Sequence, residues 1–315
     1  MQPSRQTGYA LGLSAALVWA ATSPGIKFQL ETLGTPALTL SFWRDAFIAI
    51  FLGSCLLLFG KRSSDGRSPI AVSRLDLRNL AIMGAISIGI YHALWVYSIM
   101  LNGVALAVVL IYTYPTFVTI GSWLFFGASI GKRQIVALIV SFIGCVLLVR
   151  AYDPSVLQTS WQGILVGICT GMAHAGYVLV SQRVVSRTSP WVSLMWTMFF
   201  GSLVLLVLTL VLQGPQTLFA VGEGALPWIS LLILALGPTL GGYGLFTLSL
   251  RHIPAPIASL LVIIEAPISS LIAVFFLNES LIWPQVIGMA LVFLAAFLPT
   301  LPLERLGIRT SPATS

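Results

Sequence analysis

Charge is what this sequence has least of. Aspartate, glutamate, lysine and arginine together make up 8% of its 315 residues, against about 25% in soluble domains. That scarcity, with 57% hydrophobic residues and a mean hydropathy of +0.98, excludes a large soluble fold and indicates an integral membrane protein. Long polar stretches are missing too. The longest runs from Gly60 to Arg78, so no soluble domain fits between the apolar segments. The three cysteines, Cys55, Cys145 and Cys169, sit inside apolar runs without metal-ligand spacing and read as buried small hydrophobes. Enzyme motifs are lacking as well: there is no His-Glu-x-x-His, no Gly-x-Ser-x-Gly elbow and no pair of acids suited to a metal. An intramembrane enzyme is therefore a remote alternative, and no cofactor or metal is expected.

What is present is a series of apolar runs, at 8–28, 36–59, 79–100, 104–126, 134–150, 161–181, 191–212, 227–250, 254–277 and 282–301. About 20 apolar residues span a bilayer, so the pattern predicts an all-α protein with ten transmembrane helices, the fifth of them short. Arg5 followed by Tyr9–Ala21 has the look of a signal peptide, but the run continues past Trp19 to Phe28 and is read as the first span. The net charge of +7 does not indicate a nucleic-acid partner, because the basic residues lie in short loops. With the N-terminus in the cytoplasm, thirteen of the sixteen basic residues fall on that side; Lys27, Arg44 and Arg150 are the exceptions. The positive-inside bias thus places both termini in the cytoplasm, with residues 302–315 as a short tail.

Within the run Ile253–Leu277 a single ionisable residue, Glu265, falls at the middle, twelve residues from either end. At 1.5 Å per residue its carboxylate lies roughly 18 Å from each. A protonated glutamate bonded to a neighbouring helix is one reading. A substrate or proton site facing a wet cavity is the other, and it is preferred because intramembrane carboxylates usually mark a pathway. Pro267, two residues on, bends the helix beside the carboxylate.

The two halves of the chain repeat weakly. Gly8 and Gly12 match Gly163 and Gly167, Pro115 matches Pro267, and Gln134 matches Gln285, at offsets of 151–155. Two five-helix units, 8–150 and 161–301, follow. Five is odd, so the second is expected to be inverted relative to the first, an arrangement that recurs in secondary transporters with a midplane site.

With the Thr113-Tyr114-Pro115 and Glu265-Ala266-Pro267 turns and the segment 277–298, this pattern resembles the EamA-type drug/metabolite transporter superfamily. Glu279, Gln285 and Gly288 match the acidic tip and Gln-x-x-Gly step of that family in the second half. Ala128 and Ala137 stand where the tip acid and the glycine would be in the first. The resemblance implies an inner-membrane carrier, often an exporter of amino acids and other small metabolites, with relatives moving sugar phosphates, nucleotide sugars or cationic drugs.

By depth, a set of polar and aromatic residues converges near the midplane: Trp19, His92 with Trp95, Tyr112 and Tyr114, His174 and Tyr177, Tyr243, and Glu265. Core packing is the plain reading of any one of them. As a set they suit a small zwitterion or amine held by hydrogen bonds and cation–π contacts. Each histidine is either a neutral group bonded to a neighbouring helix or a proton-coupling group. Arg44, eight residues into its helix with Asp45 beside it, holds either the carboxylate of a neighbouring helix, the preferred reading, or that of a substrate. Lys27 snorkels to the interface. The glycines around Pro238 allow close packing, and a gating bend is the alternative. The absence of lysine or arginine at mid-depth after the second helix argues against a phosphate carrier. The expectation is an alternating-access carrier for an amino acid or related amine, with proton-coupled efflux of cationic drugs as the alternative. Its partners would be a small-molecule substrate and membrane lipid, as a monomer or dimer. The sequon at Asn278–Ser280 is expected to carry no glycan.

Overall fold

The computed structural model describes residues 4–60, 68–154, 160–184, 187–277 and 281–299, and no strand occurs among them. In chain order the helical segments are α1 (Arg5–Thr32), α2 (Ala37–Phe59), α3 (Arg74–Asn102), α4 (Leu106–Phe126), α5 (Lys132–Leu148), α6 (Trp161–Val184), α7 (Pro190–Leu212), α8 (Leu226–Ser249), α9 (Ala255–Ile272, its helix continuing to Leu277) and α10 (Trp283–Phe297). All except α5 and α10 are long and apolar enough to cross a membrane, eight spans among the described residues. α5 has 17 residues and α10 has 15, so at 1.5 Å per residue they fall short of a hydrocarbon core about 30 Å thick. The basic residues Lys61, Arg62 and Arg67, the sequon with Glu279, and the tail 302–315 lie outside the described residues.

Helices are the natural form for such runs, because lipid offers no partner for backbone N–H and C=O groups. Their interruptions trace to proline. α1 is interrupted at Ala20–Ala21 ahead of Pro24, α4 at Tyr112–Thr113 ahead of Pro115, and α9 at Ile263–Ile264 ahead of Pro267. In each case the ring lacks an N–H and crowds the carbonyl four residues earlier. α8 absorbs Pro238 differently, through a π-helical turn over Ala235–Thr239, in which Thr239 Oγ1 donates to the freed Leu234 carbonyl at 2.9 Å. α3 carries a matching π turn at Ala85–Ile90 without a proline.

Packing makes the repeat visible. α1 lies on α8 and α9, while α6 lies on α3 and α4. α2 packs on α7, α4 on α9 and α5 on α10. Exchanging the halves maps this set of neighbours onto itself, which is the pattern of two repeats related by a two-fold. The glycines paired in the sequence do the same job in each copy. A Cβ on Gly8 would come within 2.7 Å of His252 Cβ, and one on Gly163 would collide with the Asn102 side chain. A Cβ on Gly12 would press on Ser249 and Leu261, and one on Gly167 on Leu110. The α5–α10 contact is closest at two facing glycines, where a Cβ on Gly288 would meet the Gly144 carbonyl oxygen at 2.7 Å. Gln285 Nε2 donates to the Leu148 carbonyl at 2.9 Å beside them.

Outside the core, large apolar side chains such as Leu58, Phe59, Val211 and Phe275 stand largely exposed, as expected of a surface solvated by lipid. Among the cysteines only Cys145 is buried; Cys55 and Cys169 are half-buried, which corrects the reading of all three as core residues.

Candidate functional site

The interruptions in α1, α4, α8 and α9 meet around one cavity of about 100 Å³. Ligand pockets for drug-sized molecules run to about 300–1,000 Å³, so this one suits a small solute. Trp19, His92, Tyr112, Tyr114, His174, Tyr243 and Glu265, seven of the nine residues that the sequence places near the midplane, line it. Trp95, Tyr91 and Arg44 line it as well. Tyr177 does not; it is buried behind the wall, and Thr247 of α8 lies 2.9 Å from its hydroxyl.

The wall is aromatic and continuous across the two repeats. Trp19 meets Tyr243 edge-on with ring centroids 5.0 Å apart, and Tyr243 meets Tyr177 at 5.2 Å. His174 lies between Tyr91 at 4.9 Å and Tyr114 at 4.6 Å. Tyr114 Oη donates to the Ser259 carbonyl at 2.9 Å, tying α4 to α9. The repeat also pairs residues at the site. His92 follows the π turn of α3 and Tyr243 follows that of α8, and the Tyr243 hydroxyl lies 3.5 Å from His92 Nε2. π turns of this kind are frequent at functional sites. Here the turn places Tyr91 and His92, adjacent in sequence, both against the cavity.

Glu265 opens the second half of α9. A negative charge is favoured at a helix N-terminus, which lowers the cost of a carboxylate at this depth. No hydrogen bond or ion pair to it exists among the described residues, so the bond to a neighbouring helix that would make it structural is not formed. Its side chain opens onto the cavity instead.

The two histidines differ in how they are bonded. Asp45 Oδ2 of α2 lies 2.9 Å from His92 Nδ1, a buried bond between neighbouring helices. His174 Nδ1 is buried with no hydrogen-bond partner among the described residues. Asp45 was legible only as the neighbour of Arg44; that its partner would be His92 was not, because the pairing depends on how α2 and α3 are rotated. Tyr91 carried no signal beyond its adjacency to His92. Arg44 is buried, and the expected carboxylate from another helix is not at hand. Its one ionic contact among the described residues is Asp45, the next residue on its own helix, at 3.8 Å.

The EamA-like transporter family matches the chain twice, over residues 6–150 and 161–301. An uncharacterised inner membrane transporter of Salmonella typhimurium, YicL, is 26% identical over 96% of this chain and 98% of its own length. An uncharacterised transporter of Archaeoglobus fulgidus is 26% identical over 88% of this chain and 92% of its own. One from Synechocystis is 28% identical over 64% of this chain, and that match spans 60% of its own length. A crystal structure with 17% sequence identity superposes with a TM-score of 0.78 over 96% of this chain and 99% of the other, a likeness of fold.

Proposed function

The chain belongs to the EamA-like transporter family, and from that premise we propose that it is a secondary carrier moving an amino acid or related amine by alternating access. The observation that carries this reading is Glu265. Its carboxylate stands at the interruption of a membrane helix and faces a small aromatic cavity built by both repeats, with no protein partner among the described residues. Interrupted helices at corresponding places in two repeats are the usual frame of a carrier's binding site. In this mechanism Glu265 accepts the substrate ammonium or a coupling proton, and Trp19, Tyr112, Tyr114 and Tyr243 enclose the substrate. His92 and His174 supply polar contacts.

The same proposal places ten helices in an inner membrane with both termini in the cytoplasm and the second repeat inverted. The balance of lysine and arginine supports the orientation. A cysteine at position 68 then reacts only from the cytoplasmic side, and labelling from the periplasm overturns the orientation.

Efflux of cationic drugs is the second reading, favoured by an acid set among aromatic rings. Export from cells overproducing the protein decides between them, with metabolites in the medium profiled against a Glu265→Gln control. Selective accumulation of one or a few amino acids, lost in the variant, is the expected result. Raised resistance to cationic drugs without any such accumulation replaces the amino-acid reading with the drug reading. Wild-type transport by Glu265→Gln removes Glu265 from the mechanism.

A further inference from the structure

Among the described residues Arg44 has a single ionic contact, Asp45, and no anion that meets its fork. Arg44 is 4% exposed, and its Nε is buried with no hydrogen-bond partner among the described residues. Asp45 Oδ1 stands 3.8 Å from that nitrogen, beyond hydrogen-bonding range. The other oxygen of Asp45 is taken by His92 Nδ1 at 2.9 Å. Consecutive residues on a helix do not face one another, so Asp45 cannot meet the guanidinium fork with both oxygens. Arg150, whose Nε is likewise unpartnered among the described residues, does meet a carboxylate through Nη2, which donates to Asp153 Oδ2 at 2.6 Å. Arg44 instead lines the cavity that Glu265 lines.

We propose that Arg44 is the anchor for a substrate carboxylate, with Glu265 taking the ammonium, so that the cavity selects zwitterionic amino acids over the amines that lack a carboxylate. This rests on the reading of the cavity as the transport site. Arginine keeps its charge at any working pH, and its planar fork fits a carboxylate through two parallel hydrogen bonds. A zwitterion answers both Arg44 and Glu265 and brings no net charge into the cavity. Its ammonium also meets the faces of Trp19 and the tyrosines, which attract cations. A simple amine answers Glu265 but leaves the guanidinium unmatched, with a second positive charge in the same small space. Rejection by an unmet polar group is a strong form of selectivity.

The test uses the purified full-length protein in liposomes. Uptake of each radiolabelled amino acid is compared with that of its decarboxylated amine, L-leucine against isoamylamine and L-alanine against ethylamine among them. The wild type takes the amino acid and rejects the amine. Arg44→Gln loses amino-acid affinity by on the order of 100-fold and narrows the ratio between acid and amine. Arg44→Lys, which restores charge without the fork, recovers part of the loss; a merely structural Arg44 would leave that ratio unmoved. Should Arg44→Gln not fold, the wild-type ratio and Arg44→Lys still decide. Equal uptake of acid and amine by the wild type, or an unchanged ratio in a folded Arg44 variant, overturns the anchor while leaving the carrier in place. Transport of cationic drugs but of no amino acid overturns the anchor together with the amino-acid reading.

Discussion

Tyr114 and Glu265 open the second halves of α4 and α9, equivalent helices of the two repeats, yet they do different work. Tyr114 is buried, and its hydroxyl is spent on the Ser259 carbonyl of the opposite repeat. Glu265 has no such partner among the described residues and faces the cavity. The same contrast runs through α2 and α7, which pack on each other. α2 carries Arg44 and Asp45 near the cavity, and α7 carries no charged residue. Of the charged groups that line the cavity, the cation comes from the first repeat, on α2, and the acid, unpartnered among the described residues, from the second, on α9. A scaffold with two-fold symmetry would by itself make a cavity with two equal ends. The departures from symmetry are what give this one a polar axis.

That comparison can be pressed at three points. The largest effect is expected at the two residues that open these half-helices. Glu265→Gln lowers transport by at least about 100-fold with little change in stability. Tyr114→Phe costs about 1 kcal/mol of stability and leaves most transport intact. Export assays beside thermal unfolding in detergent separate the two, and equal transport losses at both positions would mean that the repeats share the chemistry after all.

An intermediate effect is expected where α5 meets α10. Gly288→Val drives a side chain into the Leu148 amide and the Gly144 carbonyl, costing about 1–3 kcal/mol. Ala137, which replaces the corresponding glycine of the first repeat, is fully buried with Leu260, Ile263 and Val292. Ala137→Gly therefore loses packing rather than relieving a clash, and costs less, about 1 kcal/mol. A rise in melting temperature on Ala137→Gly would instead show that the first repeat also needs the glycine.

The smallest effect belongs to the paired glutamines. Gln285 bonds the Leu148 carbonyl of another helix and, through Oε1, the Ile282 amide at 3.2 Å. Gln134 reaches the Thr119 hydroxyl at 3.1 Å. Gln285→Ala is expected to cost about 1–2 kcal/mol and Gln134→Ala about half that. Equal shifts in melting temperature would break this part of the comparison.

Much of the molecule was readable before any coordinates. Apolar run length limits where a helix can cross, and proline marks where it can bend: the sequence pointed to Pro267 and Pro238, while the interruptions ahead of Pro24 and Pro115 came only with the structure. Depth along a helix is also a property of sequence position, so Trp19, His92, Tyr112, Tyr114, His174, Tyr243 and Glu265 could be placed at one level from counting alone. Rotation about the helix axis is a different matter. A helix that is apolar all round carries little rotational information, and so Tyr177 counted as a cavity residue although it packs behind the wall. Tyr91, hidden beside His92, went unseen because a π turn, not an α-helical one, precedes it.

By itself, then, the sequence determined the membrane class, the repeat, the bend at Pro267 and the depth of the polar residues, since each follows from residue type and spacing along one chain. Only the tertiary structure decided which of those residues share a cavity, that Asp45 belongs to His92, and that Arg44 and Glu265 have no matched partner among the described residues. Those are facts about helices meeting from distant parts of the chain. They depend on side chains at the contact, on close approaches at Gly8, Gly163 and Gly288, and on rotations that no single run of apolar residues encodes.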